Sequence, residues 1–204
     1  MVVNYVNDFV RAAILGLTVA APIGMNGIVV INKSLSQGRI AGLTAGAGAA
    51  TMHGVWAILA ITGADWLSKG LDGNAFIFKG VAALIMLFLG IKTAASKPTD
   101  LEKNKNDRKT PMWKCYSLTL SISLCNPLSI FPFIGFAASN GEIVKTMLVE
   151  IVEVLGVFAG SMSWWFILSA VVAVCGRKLP KIIFRSLNYI SGMVMGSWAL
   201  MIFR

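Results

Sequence analysis

Ala21-Pro22-Ile23-Gly24-Met25-Asn26-Gly27 interrupts an apolar run over residues 6–31, and Cys125-Asn126-Pro127-Leu128 interrupts a second run over 114–139. Proline removes a backbone donor and clashes with the carbonyl four residues back. In lipid each peptide group freed in this way is costly unless protein or trapped water satisfies it. Two spans broken at corresponding places in the two halves of a small membrane protein point to a polar site near mid-bilayer, at the interface of the halves.

The composition sets the membrane context. The 204 residues are 56% hydrophobic and 13% charged, with a mean hydropathy of +0.74, whereas a soluble domain carries roughly 25% charged residues. Six apolar segments are read at 6–31, 39–63, 75–95, 114–139, 145–175 and 183–203, each reaching the roughly 20 residues that cross a bilayer core. The expected fold is an all-α membrane bundle forming a single transmembrane domain over residues 1–204.

The net charge of +9 is explained by its placement. With six spans, the first, third and fifth loops lie on one side. They carry Lys33 and Arg39; then Lys92, Lys97, Lys103, Lys105, Arg108, Lys109 and Lys114; then Arg177, Lys178, Lys181 and Arg185, thirteen of the 18 basic residues. The positive-inside rule puts these loops in the cytoplasm and both termini outside the cell membrane. Basic loops of this kind set topology and touch membrane lipid, so nucleic acid is not an expected partner. The first ten residues carry no basic side chain and the apolar run that follows is too long for a secretory signal.

The polar segment 96–111, bounded by Pro98 and Pro111, reads as a mobile linker. It divides the chain into repeats of about three spans each, 1–95 and 112–204. Three is odd, so related halves would lie in opposite orientations as an inverted repeat. Gly38, Gly42, Gly46, Ala50 and Gly54 follow at four-residue steps, and Gly156 with Gly160 and Gly192 with Gly196 repeat the small-residue spacing. Such faces let backbones approach closely in lipid, either inside one chain or across a homodimer seam. Trp66 and Trp113 fall near span ends, where indole rings suit the interface.

Ionisable groups inside a membrane are expensive and therefore candidates for function. His53, the single histidine, lies near the centre of the second span among Ala49, Ala50 and Ala57. It reads either as a proton-exchanging group in a solvated cavity or as a neutral ring bonded to a neighbouring helix. Glu150 and Glu153 share a helical face. They would snorkel to the outer interface beside Lys145 or line an exit vestibule. Asn26 and Asn126 adjoin the two breaks, where half-helix ends expose unpaired N–H groups with partial positive charge. They either cap freed backbone or contact a solute, and Gly24, Gly27 and Ser129 would let a ligand reach the main chain. Cys115, Cys125 and Cys175 are scattered without metal-ligand spacing and read as apolar fillers. No phosphate loop, nucleotide fingerprint or metalloprotease spacing appears, so no catalytic residues, metal or cofactor are expected. The chain reads as a non-enzyme.

Pro22-Ile23-Gly24-Met25-Asn26, Leu35-Ser36-Gln37-Gly38-Arg39 and the glycine-rich Gly42–Gly48 stretch resemble the opening of the lysine/homoserine-exporter (LysE-type) family of amino-acid exporters. The run from Leu118 to Asn126-Pro127 is similar to that family's fourth-helix Asn-Pro motif. Gly156–Ser161 with Trp164-Trp165, and Leu187-Asn188-Tyr189-Ile190-Ser191-Gly192, resemble its fifth and sixth helices. Met25 stands where the family usually has a second proline, and His53 where an aspartate is typical. A protonated His53 would disfavour a cationic solute such as lysine and suit a neutral amino acid.

The resemblance implies a six-helix inner-membrane secondary transporter that exports an amino acid or similar small solute by proton exchange. Pro22, Gly24, Asn26, Asn126 and Pro127 would form the solute site and His53 the proton or solute partner. One three-helix half would rock against the other. A small-ion or metal permease, a membrane thiol oxidoreductase using Cys125, and a non-transporting scaffold are the alternatives.

Overall fold

A computed structural model describes residues 4–70, 75–95, 110–139, 146–175 and 181–201. Among these residues there are eight α-helices and no strand. They are α1 (Tyr5–Ala20), α2 (Met25–Gln37), α3 (Arg39–Gly70), α4 (Ala75–Ala95), α5 (Met112–Leu124), α6 (Phe131–Ser139), α7 (Met147–Cys175) and α8 (Lys181–Met201). A short 3-10 turn, Pro127–Ile130, precedes α6. The linker reading of 96–111 falls outside the described residues up to position 109, as do Glu142, Lys145 and the side chain of Trp66.

α3 over Arg39–Gly63 and α7 over Met147–Cys175 are each long and apolar enough to cross a membrane. α1 and α2 make a third such span when taken together, bent by 79° at the intervening residues. α1 starts at Asn4, whose Oδ1 accepts from the Asn7 backbone N–H at 3.2 Å, a side-chain cap that satisfies one orphan donor. It stops where Pro22 cannot continue the ladder. α2 restarts behind Gly24 and runs to Gln37. The whole α2–α3 connection is Gly38, with φ +90°, a left-handed conformation that glycine reaches without steric cost.

This geometry revises two details of the sequence reading. Lys33 is not in a loop but sits in the third turn of α2 and is 7% exposed. The reason is the break itself: a helix restarted after Pro22 extends six residues past the expected end at 31. Arg39 opens α3, with its guanidinium 4.2 Å from the centre of the Phe166 ring.

Two apolar clusters fill the interior. One gathers Ala12, Leu15, Ala57, Phe133 and Val157; the other gathers Ala20, Ala21, Ala49, Ala50, Trp164, Trp165 and Leu168. Between them, on three helices, lies one polar residue each: Thr18 on α1, His53 on α3 and Ser161 on α7, all buried. Thr18 satisfies itself by donating to the Ile14 carbonyl at 2.7 Å.

The most extensive helix pairings are α1 with α7 and α4 with α8, each joining the two halves of the chain. Small residues bring backbones together in both. A side chain at Gly160 would strike the backbone of Ala13, and one at Gly16 the backbone of Val157. Gly90 and Gly192 face each other's carbonyls across the α4–α8 contact. In α3, Gly42 lies under Ser34 and Gly46 under Trp165. These glycine faces are filled by helices of the same chain, and Gly54 meets nothing nearby.

Candidate functional site

The first break is a tight bend of four residues. The Ala21 N–H closes α1 on the Leu17 carbonyl at 2.9 Å, and the Gly24 N–H bonds the Pro22 carbonyl at 3.0 Å. The Ile23 N–H has no helical partner. Asn188 of α8, 3% exposed, turns its Oδ1 to that donor at 3.4 Å. Asn188 therefore does for the break what Asn26 was expected to do, and it reaches from the far end of the sequence.

Asn26 instead bridges α2 and α5, the helices that flank the two breaks. It is the second residue of α2, and its Nδ2 donates to Ser123 Oγ of α5 at 2.7 Å. Its Oδ1 is buried and carries no hydrogen-bond partner. A buried amide oxygen left unpaired costs about 1–3 kcal/mol, and a passing donor such as an ammonium group would recover it. Gly24 is exposed, and a Cβ placed there would meet no atom within 4 Å.

At the second break the Cys125 N–H closes α5 on the Ser121 carbonyl at 2.9 Å. The Asn126 N–H bonds the Ser123 carbonyl at 3.3 Å, and the Asn126 carbonyl accepts from the Ser129 N–H at 3.1 Å. The Asn126 side chain is exposed, and Pro127 opens the 3-10 turn. Asn126 thus shapes the turn through its main chain. The polar side chain of α5 that meets Asn26 is Ser123, one helical turn earlier. Of the cysteines, Cys115 is buried while Cys125 and Cys175 are exposed, so only the first fits the expectation of an apolar filler.

His53 is 5% exposed. Its Nδ1 and Ser161 Oγ share a hydrogen bond of 2.9 Å, and the Phe133 ring of α6 lies tilted at 5.9 Å. The imidazole is therefore held from α7 and α6 at once, in the polar layer between the two apolar clusters. Glu153 is 2% exposed and faces inward, unlike a snorkelling carboxylate, and Glu150 is half-buried. Among the described residues no three His, Cys, Asp or Glu come together as metal ligands.

Sequence reasoning missed Ser123, Asn188 and Lys33 as members of this region. The signal was present: each is a polar side chain inside an apolar helix. What was absent was the pairing, because lipid-facing and core-facing residues of a membrane helix are equally apolar.

Comparison with known proteins assigns the chain. A Bacillus subtilis (strain 168) protein, YcgF, whose name provisionally assigns it to amino acid efflux, is 23% identical over 192 residues, covering 92% of this chain and 90% of its own. No solved structure matches significantly. The family model described as LysE type translocator matches residues 17–204, which include both breaks, the polar layer and Asn188, and the chain belongs to that family.

Proposed function

We propose that the protein is a six-span secondary transporter of the cell membrane that exports an amino acid or similar small solute. In this reading α1–α2 and α5–α6 are the two broken spans, and α3, α4, α7 and α8 are the continuous ones. The repeats are inverted, the termini lie outside, and access to the site alternates. It acts as a transporter and not as an enzyme, which accords with its family and with the efflux named for its Bacillus relative.

One observation carries the proposal. Asn26 ties one broken span to the other through Ser123 while keeping its own Oδ1 buried and unpaired. That oxygen, beside the open backbone at Gly24, is a ready acceptor for a solute ammonium group. The N-terminal end of α2, which has no side-chain cap, presents partial positive charge to a carboxylate. His53 then serves as the proton partner, one polar layer away, with Ser161 fixing its ring.

The test is a thermal-stability screen of detergent-purified protein against amino acids, dipeptides and divalent metals, followed by efflux from loaded cells. A ligand at about 100 times its Kd stabilises the folded state by about 2.7 kcal/mol. Stabilisation by an amino acid, together with its efflux dependent on Asn26, is the expected result. Stabilisation by metals alone would replace this reading with a small-ion permease.

A further inference from the structure

Arg39, Lys114 and Arg185 each lie over an aromatic ring. Arg39 is 4.2 Å from the centre of Phe166, Lys114 is 5.4 Å from that of Trp113, and Arg185 is 5.7 Å from that of Tyr189. Two of these pairs are local. Trp113 and Lys114 are chain neighbours on α5. Arg185 and Tyr189 are one turn apart on α8, where Arg185 also donates to the Tyr189 hydroxyl at 3.3 Å. Arg39 differs, because its ring belongs to another helix, α7. That contact is made by the fold, and it places the cation on the surface where α3 and α7 meet.

Arg39 is also the first residue of the α3 span, the level at which headgroups border the hydrocarbon core. Its side chain is exposed, with no acidic partner or other protein acceptor among the described residues. Ile40 beside it, and Phe166 and Ile167 on α7, are exposed apolar side chains.

We propose that Arg39 and Phe166 form a binding site for an anionic phospholipid. Arg39 takes the phosphate of the headgroup, and the apolar side chains of α3 and α7 take the first carbons of the acyl chains. The inference goes beyond the transport reading and stands whichever solute is carried.

A ring face attracts a cation through its quadrupole and offers it no conventional acceptor. A guanidinium held this way keeps its fork of donors for a phosphate, which it meets bidentately. The surroundings favour a lipid over a free phosphate. A small anion in water gains nothing from Ile40, Phe166 or Ile167, whereas an acyl chain lies against them. A zwitterionic headgroup brings its own cation to the phosphate, so a headgroup with net negative charge is the better match. Gly38, the whole connection between α2 and α3, immediately precedes Arg39. A lipid held there therefore grips the corner between those two helices.

The experiment is native mass spectrometry of the detergent-purified full-length protein, titrated with phosphatidylglycerol, phosphatidylcholine and glycerol 3-phosphate. Wild type is expected to hold one phosphatidylglycerol at least about tenfold more tightly than either of the others, as a charge-assisted bidentate pair requires. Arg39→Gln should weaken that binding at least about tenfold while keeping the wild-type unfolding temperature, since the position is exposed. Phe166→Leu gives a second route that keeps Arg39, and it should weaken binding several-fold by removing the ring alone. Lys114→Gln removes an equal charge from a local pair. It should cost no more than about fivefold, the share of any single cation near an anionic surface.

Equal retention of phosphatidylcholine or of glycerol 3-phosphate overturns the inference. Undiminished binding in Arg39→Gln or in Phe166→Leu does so as well. Losses of the same size in Lys114→Gln and Arg39→Gln overturn it too, because they mark attraction to charge in general and not a site.

Discussion

His53 on α3 and Ser161 on α7 are joined by a 2.9 Å hydrogen bond between Nδ1 and Oγ, at a level of the bundle where buried polar residues separate two apolar clusters. The bond fixes the ring's orientation and leaves one nitrogen for another partner. If His53 carries the exchanged proton, efflux measured from pH 5.5 to 8.5 should lose its pH dependence in His53→Ala and His53→Gln. It should return, over a different range, in His53→Asp. The same pH profile in wild type and all three variants would remove His53 from proton coupling.

Ser161 can be tested as the group that holds the ring. Ser161→Ala leaves a buried imidazole nitrogen without its partner, at a cost of about 1–3 kcal/mol. Thermal unfolding in detergent should therefore shift clearly downward. A variant as stable as wild type would mean that the ring finds another bond.

Gly24 separates structural from functional need. Its φ of −89° is open to any residue, and a Cβ there meets nothing within 4 Å. Gly24→Ala should keep wild-type stability while lowering efflux several-fold, because the added methyl group occupies the space a solute would use. Full efflux by Gly24→Ala would show that the solute passes elsewhere.

Gly160 and Gly54 make opposite predictions on the strength of what surrounds them. A side chain at Gly160 runs into the Ala13 backbone, which cannot give way as a flexible side chain can, whereas one at Gly54 meets nothing. Gly160→Val should cost about 1–3 kcal/mol or more through overpacking and lower the yield of folded protein. Gly54→Ala should be close to neutral. Size-exclusion recovery and unfolding temperature report both.

Asn188 satisfies the Ile23 N–H across a sequence separation of 165 residues. Asn188→Leu should orphan that donor at a cost of about 1–3 kcal/mol and loosen the first break. Faster hydrogen exchange confined to residues near Ile23 would reveal the loss. Unaltered exchange there would show that the break holds without α8.

Both breaks were legible because proline acts through its own backbone, whatever surrounds it. The second and fifth spans were legible because their apolar runs meet the length a bilayer demands. Side-chain partners were not. Asn26 and Asn126 look equivalent in the sequence, yet one crosses to Ser123 while the other works through its main chain. Lys33 reads as a loop residue by charge alone, since nothing local says that α2 restarts far enough to bury it. His53 was visible as an oddity, but Ser161 is one serine among many until α3 and α7 are laid against each other.

The pairing of α1 with α7 and of α4 with α8 carries a mechanical consequence. Each couple is drawn from opposite halves of the chain and seated on glycine, with backbone against backbone at Gly160–Ala13 and Gly90–Gly192. Sliding the first half of the chain past the second would shear both couples, whereas releasing the Asn26–Ser123 bond between α2 and α5 leaves them intact. The tightest backbone contacts of the bundle therefore bind one half of the chain to the other, so the two halves are not independent blocks.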